Sequence, residues 1–353
     1  MSDFNCLVAR LGAMRSRLLT QKAYEELIAL PDLPAVLASL LGGPYGPAIE
    51  AVGEAVSDTA KIEEGLRRDF SATLSKLFRM SGEDPREGVE TLLDYWDVYN
   101  IKTILRGKQF LQSPEEIVRS LIPTGRYDEP ALWELAKQPS LRAVAELLLT
   151  WRALHAGTLM DALREYHEPR DLYLLELALD RSYFKTFRPS LSEGPFAEPL
   201  RDFLSLLADK TNLMTALKMA EERAVLVERE RYFLSGGTNL GYPVFSGILD
   251  AGVAGGLSGA LARARSTRFG TALAEAGEPP QGISLLSLVE KRLEGTVLLT
   301  ANRIHRRDPL GIGAVLAFLW DKIHEVMNLR MILRSRLVNL PEPVLRSMMT
   351  LEA

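Results

Sequence analysis

Long stretches of this chain place apolar residues at steps of three and four, the spacing that puts them on one face of an α-helix. The same stretches are rich in Leu, Ala, Glu, Lys and Arg, which favour helices. Alternating strand patterns are nearly absent. We therefore predict an all-α protein whose long helices cover residues 62–80, 91–106, 142–165, 200–229, 285–305 and 313–338.

Capping residues indicate where some of these helices begin and end. Asp84-Pro85 and Asp308-Pro309 each pair an acid that can cap a helix with a proline that suits its first turn. Gly107 is placed to end the helix over 91–106, because glycine is common just after a helix.

The sequence pattern of one helical segment recurs three times. Its marker is an asparagine that follows an acid by three residues and precedes Ile or Leu at +1, leucine at +5 and a base at +6. The three asparagines are Asn100, Asn212 and Asn328, and their acids are Asp97, Asp209 and Glu325. Agreement at this many positions in three copies indicates an internal repeat.

Two further echoes support the repeat. Glu63, Glu176 and Glu290 each begin a Glu-x2-Leu pattern 36 to 38 residues before an asparagine, and residues 45–49 resemble residues 269–273. We therefore predict three similar helical bundles, over residues 1–112, 113–224 and 225–353.

The apolar positions around each asparagine lie on two opposite faces of its helix. Such a helix must pack on both sides or change its register near the asparagine. The asparagine could bond to the acid one turn earlier. A structural role for Asn100, Asn212 and Asn328 is the favoured interpretation.

Composition narrows the classes of protein. The formal net charge of −4 offers no basic field for nucleic acid, and the single cysteine, Cys6, fits a reducing cytoplasm. The N-terminus lacks the basic and apolar regions of a signal peptide. The uncharged run over 232–249 contains several glycines and a proline, so we expect no membrane-spanning segment.

No motif indicates catalysis, a cofactor or a metal. The chain has no P-loop, the glycine-rich stretch over 252–261 lacks the dinucleotide fingerprint, and the four histidines are scattered singly. Two stretches could contact a partner: the basic cluster Arg303, Arg306 and Arg307, and the turn-rich segment 234–262. For the cluster a helix-end role is favoured, and for the segment a simple connection between units.

Four stretches carry a resemblance to a known family. They are "VARLGAMRSRLLT" at 8–20, "LLGGPYGPAI" at 40–49, "DYWDVYNIKTILRGK" at 94–108 and "DPLGIGAVLAFLWDKIHEVMNLRMILRSRLVNLP" at 308–341. The chain resembles the central-stalk C subunit of V/A-type ATPases, which is the counterpart of the d subunit of eukaryotic vacuolar ATPases. Phe4 and Pro44 depart from the family's usual residues.

The resemblance implies three similar domains arranged as a funnel-shaped socket, without catalytic residues. It implies a peripheral protein on the cytoplasmic face of the membrane, between the central-shaft subunits and the membrane proteolipid ring. It would transmit torque without binding nucleotide, nucleic acid or lipid directly. The alternatives are a helical scaffold unrelated to ATPases, which would bind peptides or regulators, and an enzyme with polar groups around a closed pocket.

Overall fold

The computed structural model describes residues 3–53, 56–124, 126–166, 172–187, 197–223, 228–280 and 282–350. Within these ranges the regular structure is helical and no strand occurs, which confirms the all-α prediction. The described α-helices are α1 Asp3–Arg15, α2 Gln21–Ala29, α3 Leu33–Leu41, α4 Gly46–Glu50, α5 Asp58–Met80, α6 Glu83–Gln109, α7 Pro114–Arg119, α8 Glu129–Lys137, α9 Leu141–Thr150, α10 Ala156–Arg164, α11 Leu172–Phe187, α12 Ala197–Glu221, α13 Tyr242–Ala264, α14 Gly270–Ala274, α15 Leu285–Arg307, α16 Ile312–Leu337 and α17 Glu342–Met348.

Most of the long helices predicted from the sequence occur, although α6 begins at Glu83, eight residues before the predicted start. The segments 62–80, 91–106, 285–305 and 313–338 correspond to α5, α6, α15 and α16. The segment 200–229 corresponds to α12, which ends at Glu221, while residues 224–227 lie outside the described residues.

A single helix over 142–165 is wrong. The chain forms α9 and α10 instead, separated by a turn in which Arg152 has a φ of 55°. The N–H of Ala153 donates to the carbonyl of Leu148 at 2.9 Å, which closes the end of α9. A left-handed residue followed by this bond is a common way to end a helix, and here it occurs without glycine.

Gly107 does not end a helix, because α6 continues to Gln109. A Cβ atom on Gly107 would lie 2.4 Å from Cγ1 of Ile117, so glycine allows the close approach of α7. Asp308 caps α16 from four residues before the helix begins, since its Oδ2 accepts the N–H of Gly313 at 2.9 Å.

The chain divides into two compact units, Met1–Val89 with Leu298–Ala353 and Glu90–Val297. In the first unit, α16 is the central helix, and α1, α3, α5 and α17 pack against it. The core of that unit includes side chains with no solvent exposure: Ile49, Leu66, Leu74, Val315 and Ile332.

In the second unit, α12 packs against α13, α11 packs against α10, and α10 packs against α9. Leu177, Ala208 and Leu234 form a buried cluster there. The division into three copies at residues 112 and 224 stays a prediction.

The order of helices nevertheless recurs along the chain. Three short helices and then two longer helices follow one another as α2 to α6 and again as α8 to α12. In the third run α13 replaces the first pair, since Gly256, with φ 62° and ψ −157°, joins two helical stretches across a kink. Gly46 and Gly270 begin the short helices α4 and α14, and a Cβ on either would lie 2.2 Å from a backbone oxygen.

Among the described helices, α13 is long and apolar enough by length and composition to cross a membrane. Core helices pass the same test, and the kink at Gly256 interrupts this one. The expectation that the chain does not span a membrane stays a prediction.

Candidate functional site

The three repeat asparagines make the same contact. Asn100 Nδ2 donates to the carbonyl of Ile122 at 2.6 Å, and the N–H of Ile122 donates to Asn100 Oδ1 at 2.8 Å. Asn212 holds Leu234 through the same two bonds, both 2.8 Å, and Asn328 holds Thr350 at 2.8 and 3.0 Å. The separation is 22 residues each time. We call each pair of bonds an asparagine clamp.

Two of the three clamp helices contain long stretches that are buried on every side. Seven consecutive residues of α12, Phe203–Asp209, and nine of α16, Ile312–Trp320, are buried. Consecutive residues point in every direction around a helix, so these stretches are packed on both faces, which is one of the two alternatives that the apolar pattern left open. Tyr99 and Met327, directly before two of the asparagines, are exposed instead. The three asparagines are at most 4% exposed.

The acid before each asparagine holds a second segment of the chain, which follows the helix in the first two copies and precedes it in the third. Asp97 accepts the hydroxyl of Thr124, and Asp209 accepts the N–H groups of Asn239 at 3.1 Å and Leu240 at 2.9 Å. Glu325 accepts the N–H of Leu19. In each case the bonded residue shortly precedes a helix, namely α8, α13 and α2 respectively.

A third feature recurs eleven residues after each asparagine. Leu111, Arg223 and Asn339 have φ values of 56°, 51° and 51°, in the left-handed region that side chains other than glycine and asparagine rarely adopt. These positions immediately follow the C-terminal turns of α6, α12 and α16. The repeat is therefore also a repeat of backbone conformation.

The sequence located these residues but assigned the wrong bond. In the described contacts no asparagine bonds to the acid one turn earlier; each bonds to backbone 22 residues later. Backbone acceptors carry no residue-type signal, and the partners Ile122, Leu234 and Thr350 share no chemistry that a sequence pattern could reveal.

Two buried carboxylates lie together at the first clamp. Burial raises the pKa of Asp97 to about 8, although the hydrogen bond from Thr124 acts in the opposite direction, and Asp94 adds to the increase. Arg126 Nε lies 3.5 Å from Asp97 Oδ2 and 4.0 Å from Asp94 Oδ1. Asp97 is therefore protonated in the folded protein at neutral pH.

Asp94 also belongs to a hydrogen-bonded Asp-His-Ser series, the arrangement found in the catalytic triad of serine hydrolases. His155 Nε2 lies 2.6 Å from Asp94 Oδ2, and His155 Nδ1 lies 2.9 Å from Ser182 Oγ. Solvent reaches at most 7% of any of these three residues, so a substrate has no access to Ser182 in this conformation. The arrangement connects α6, the start of α10 and α11.

An equivalent network occurs in the first unit with different chemistry. Tyr45 occupies the cap position of α4, as His155 does for α10. Lys322 lies six residues before Asn328, as Asp94 does before Asn100, and its Nζ contacts Tyr45 Oη at 2.8 Å and Asp69 Oδ2 at 2.8 Å. Because the position accepts such different groups, a packing role explains both networks better than catalysis.

The basic cluster lies at the end of α15, as predicted. Arg303, Arg306 and Arg307 are exposed, and no ion pair of theirs occurs with the described part of the chain. Burial, and then the nearby Arg15, lowers the pKa of His305 within this stretch. The segment 234–262 enters α13, where Val253 is 51% exposed. Among the described residues, no group of His, Cys, Asp and Glu could hold a metal ion.

Comparison with known proteins identifies the family. The family described as ATP synthase (C/AC39) subunit matches residues 7–348. Among curated relatives, the A-type ATP synthase C subunit of Methanocaldococcus jannaschii is 27% identical over 97% of this chain and 84% of its own length. The equivalent C subunit of Haloferax volcanii is 26% identical over 94% of this chain and 92% of its own. These matches confirm the resemblance noted in the sequence, and the chain belongs to the ATP synthase (C/AC39) subunit family.

Proposed function

We propose that this chain is a non-catalytic central-stalk subunit of a V/A-type rotary ATPase, coupling the rotating shaft to the membrane proteolipid ring. The observation that carries the proposal is the family match over residues 7–348, which leaves almost no part of the chain for another function. The relatives named above are C subunits of A-type ATP synthases. Their number and coverage disfavour an unrelated helical scaffold.

The internal geometry suits a part that transmits torque. Each clamp fixes a connecting segment to a long buried helix through two bonds, so the segment cannot slide along the helix without breaking both. Dense packing around α12 and α16 transmits strain because protein interiors are poorly compressible. We infer a stiff adaptor that passes force between its two partners.

The proposed partners are the central-shaft subunits and the proteolipid ring, with the chain peripheral on the cytoplasmic face of the membrane. Arg303, Arg306 and Arg307 supply exposed positive charge without internal partners among the described residues, so they are available for an acidic surface on one of them.

The test is reconstitution of the rotary complex with and without this chain. We expect the complex lacking the chain to hydrolyse ATP without ion transport, because the head turns over while the ring is uncoupled. Adding the purified chain should restore transport, and heat-denatured chain is the control. Full transport without the chain, or ATP hydrolysis by the chain alone, would contradict the proposal.

A further inference from the structure

We call the backbone segments held by a clamp asparagine and by its acid a junction. The third junction differs from the other two in how the chain passes through it. After the first clamp the chain runs from Ile122, held by Asn100, to Thr124, held by Asp97, and on into α8. After the second it runs from Leu234 to Leu240 and into α13. In both junctions one continuous stretch bridges the asparagine and the acid.

In the third junction the same two anchors hold separate stretches. Asn328 holds Thr350, whereas Glu325 holds the N–H of Leu19, which precedes α2 at the other end of the sequence. No short covalent link can join them, because Leu19 comes before the clamp helix in the chain. The closure of this junction is noncovalent.

An open groove occupies the space between these two stretches. It has a volume of about 440 Å³ and lies wholly within the first unit. Its lining comes from the segment before α2, the start of α2, α15, α16 and the chain end: Arg15, Leu18, Leu19, Thr20, Gln21, Tyr24, Leu298, Asp321, His324, Glu325, Asn328 and Thr350.

Within the described part of the chain, few polar side-chain contacts hold the N-terminal side of this junction. Besides the Leu19 bond, Arg15 Nη2 lies 2.7 Å from Asp321 Oδ2 and 2.9 Å from Asn302 Oδ1. Beyond it, α2 is fastened independently, since Glu25 pairs with Arg346 at 2.6 Å and Arg336 donates to the carbonyl of Ile28. Release of residues 15–20 therefore need not unfold α2.

We propose that Arg15–Thr20 is a latch: a strap that closes the third junction reversibly and opens by local release from α16, while the first two junctions stay closed by covalent continuity. Opening frees Glu325 from Leu19 and widens the groove. The latch is a conformational device of the fold and does not depend on the rotary function.

Hydrogen exchange of the full-length chain, followed by mass spectrometry, tests the latch. After correction for intrinsic rates, residues 18–24 should exchange faster than the equivalent residues before and within α8 and α13. Arg15→Ala removes both Arg15 contacts and should speed exchange at 18–24 by about tenfold, the effect of losing roughly one charged hydrogen bond. Arg10→Ala, on the exposed side of the same helix, is the matched control and should change nothing.

A crosslink provides the converse test. In a Cys6→Ser background, which removes the exposed native thiol, Leu18→Cys and Thr350→Cys place one thiol on each side of the groove. Asn328 bonds only to the backbone of Thr350, so the clamp survives that change. Joining the thiols with a bis-maleimide should slow exchange at 18–24 to the rate of the other junctions. Equal exchange at all three junctions before crosslinking, or no response to Arg15→Ala, would overturn the latch.

Discussion

Asparagine suits the clamp because its side chain carries one acceptor and one donor at the spacing of a peptide group. It can therefore satisfy both the N–H and the C=O of a single backbone residue, as Asn212 does for the fully buried Leu234. Leucine has a similar volume but neither function. Replacing Asn212 with leucine would leave the backbone N–H and C=O of Leu234 without partners in a region closed to water.

We expect Asn100→Leu to lower the free energy of unfolding by about 2 to 4 kcal/mol, the cost of orphaned buried polar groups. Asn328→Leu should cost about half as much, because Asn328 and Thr350 line the open groove, where water can replace the lost partner. The melting temperature should fall by about 3 to 5 °C in Asn100→Leu and by about half as much in Asn328→Leu. Asn5→Leu, at an exposed position of α1, is the control. Unchanged melting temperatures for both clamp variants would show that the clamps are not structural.

The raised pKa of Asp97 predicts a pH dependence of stability. Between about pH 4 and pH 8 the folded protein keeps a proton that the unfolded chain releases, so this group makes stability fall as pH rises through that window. Asp97→Asn keeps an acceptor for Thr124 and removes the titration. We expect the variant to be more stable than the parent by about 2 kcal/mol at pH 8, and the difference to shrink towards pH 4.

Denaturant midpoints measured from pH 4 to pH 9 check this expectation, with Asp202→Asn, an exposed carboxylate on α12, as the control. A parent protein whose stability rises from pH 5 to pH 8 while Asp97→Asn follows the same curve would contradict it.

At the scale of the element, α6 ends without a glycine at the left-handed position. The N–H of Leu111 donates to Lys108 at 3.2 Å and the N–H of Gln112 donates to Gly107 at 2.9 Å, the two bonds of a Schellman ending. The left-handed position falls on Leu111, which is 91% exposed. Its side chain thus bears the backbone strain without a packing gain.

Leu111→Gly should therefore raise the free energy of unfolding by about 0.5 to 1 kcal/mol, since relief of the left-handed strain exceeds the entropy that glycine adds to the unfolded chain. Phe110→Gly is the matched control: that residue is 73% exposed but lacks a positive φ, so it should be neutral or destabilising. Urea denaturation distinguishes the two, and a loss of stability in Leu111→Gly would refute the argument.

At the scale of the whole molecule, the basic cluster at the end of α15 is the surface we assign to the rotary partners. Reversing its charge with Arg306→Glu and Arg307→Glu should weaken assembly with the ring and shaft by about tenfold or more if the cluster contacts an acidic surface. The fold should persist, because both side chains are exposed.

Co-purification of the ring and shaft components with the tagged chain measures this effect. Arg142→Glu with Arg164→Glu makes the same charge change on exposed arginines of the second unit and is the control. Undiminished assembly of the Arg306 and Arg307 variant would show that the cluster is only a helix end.

The sequence by itself determined the helical class, most of the long helices and the repeat, because apolar periodicity and recurring residue types are local properties of a chain. It also located Asn100, Asn212 and Asn328 as recurring positions. It missed the break between α9 and α10, where a left-handed Arg152 replaces the expected glycine signal.

Only the tertiary structure decided what the repeated residues do. The bond from each asparagine to backbone 22 residues later, the buried carboxylate of Asp97, and the contact between Glu325 and Leu19 join atoms that no sequence spacing relates. Packing brings these atoms together and removes water, and burial then makes each unsatisfied polar group costly. Because of that cost, the two hydrogen bonds of each recurring asparagine hold its partner segment in place.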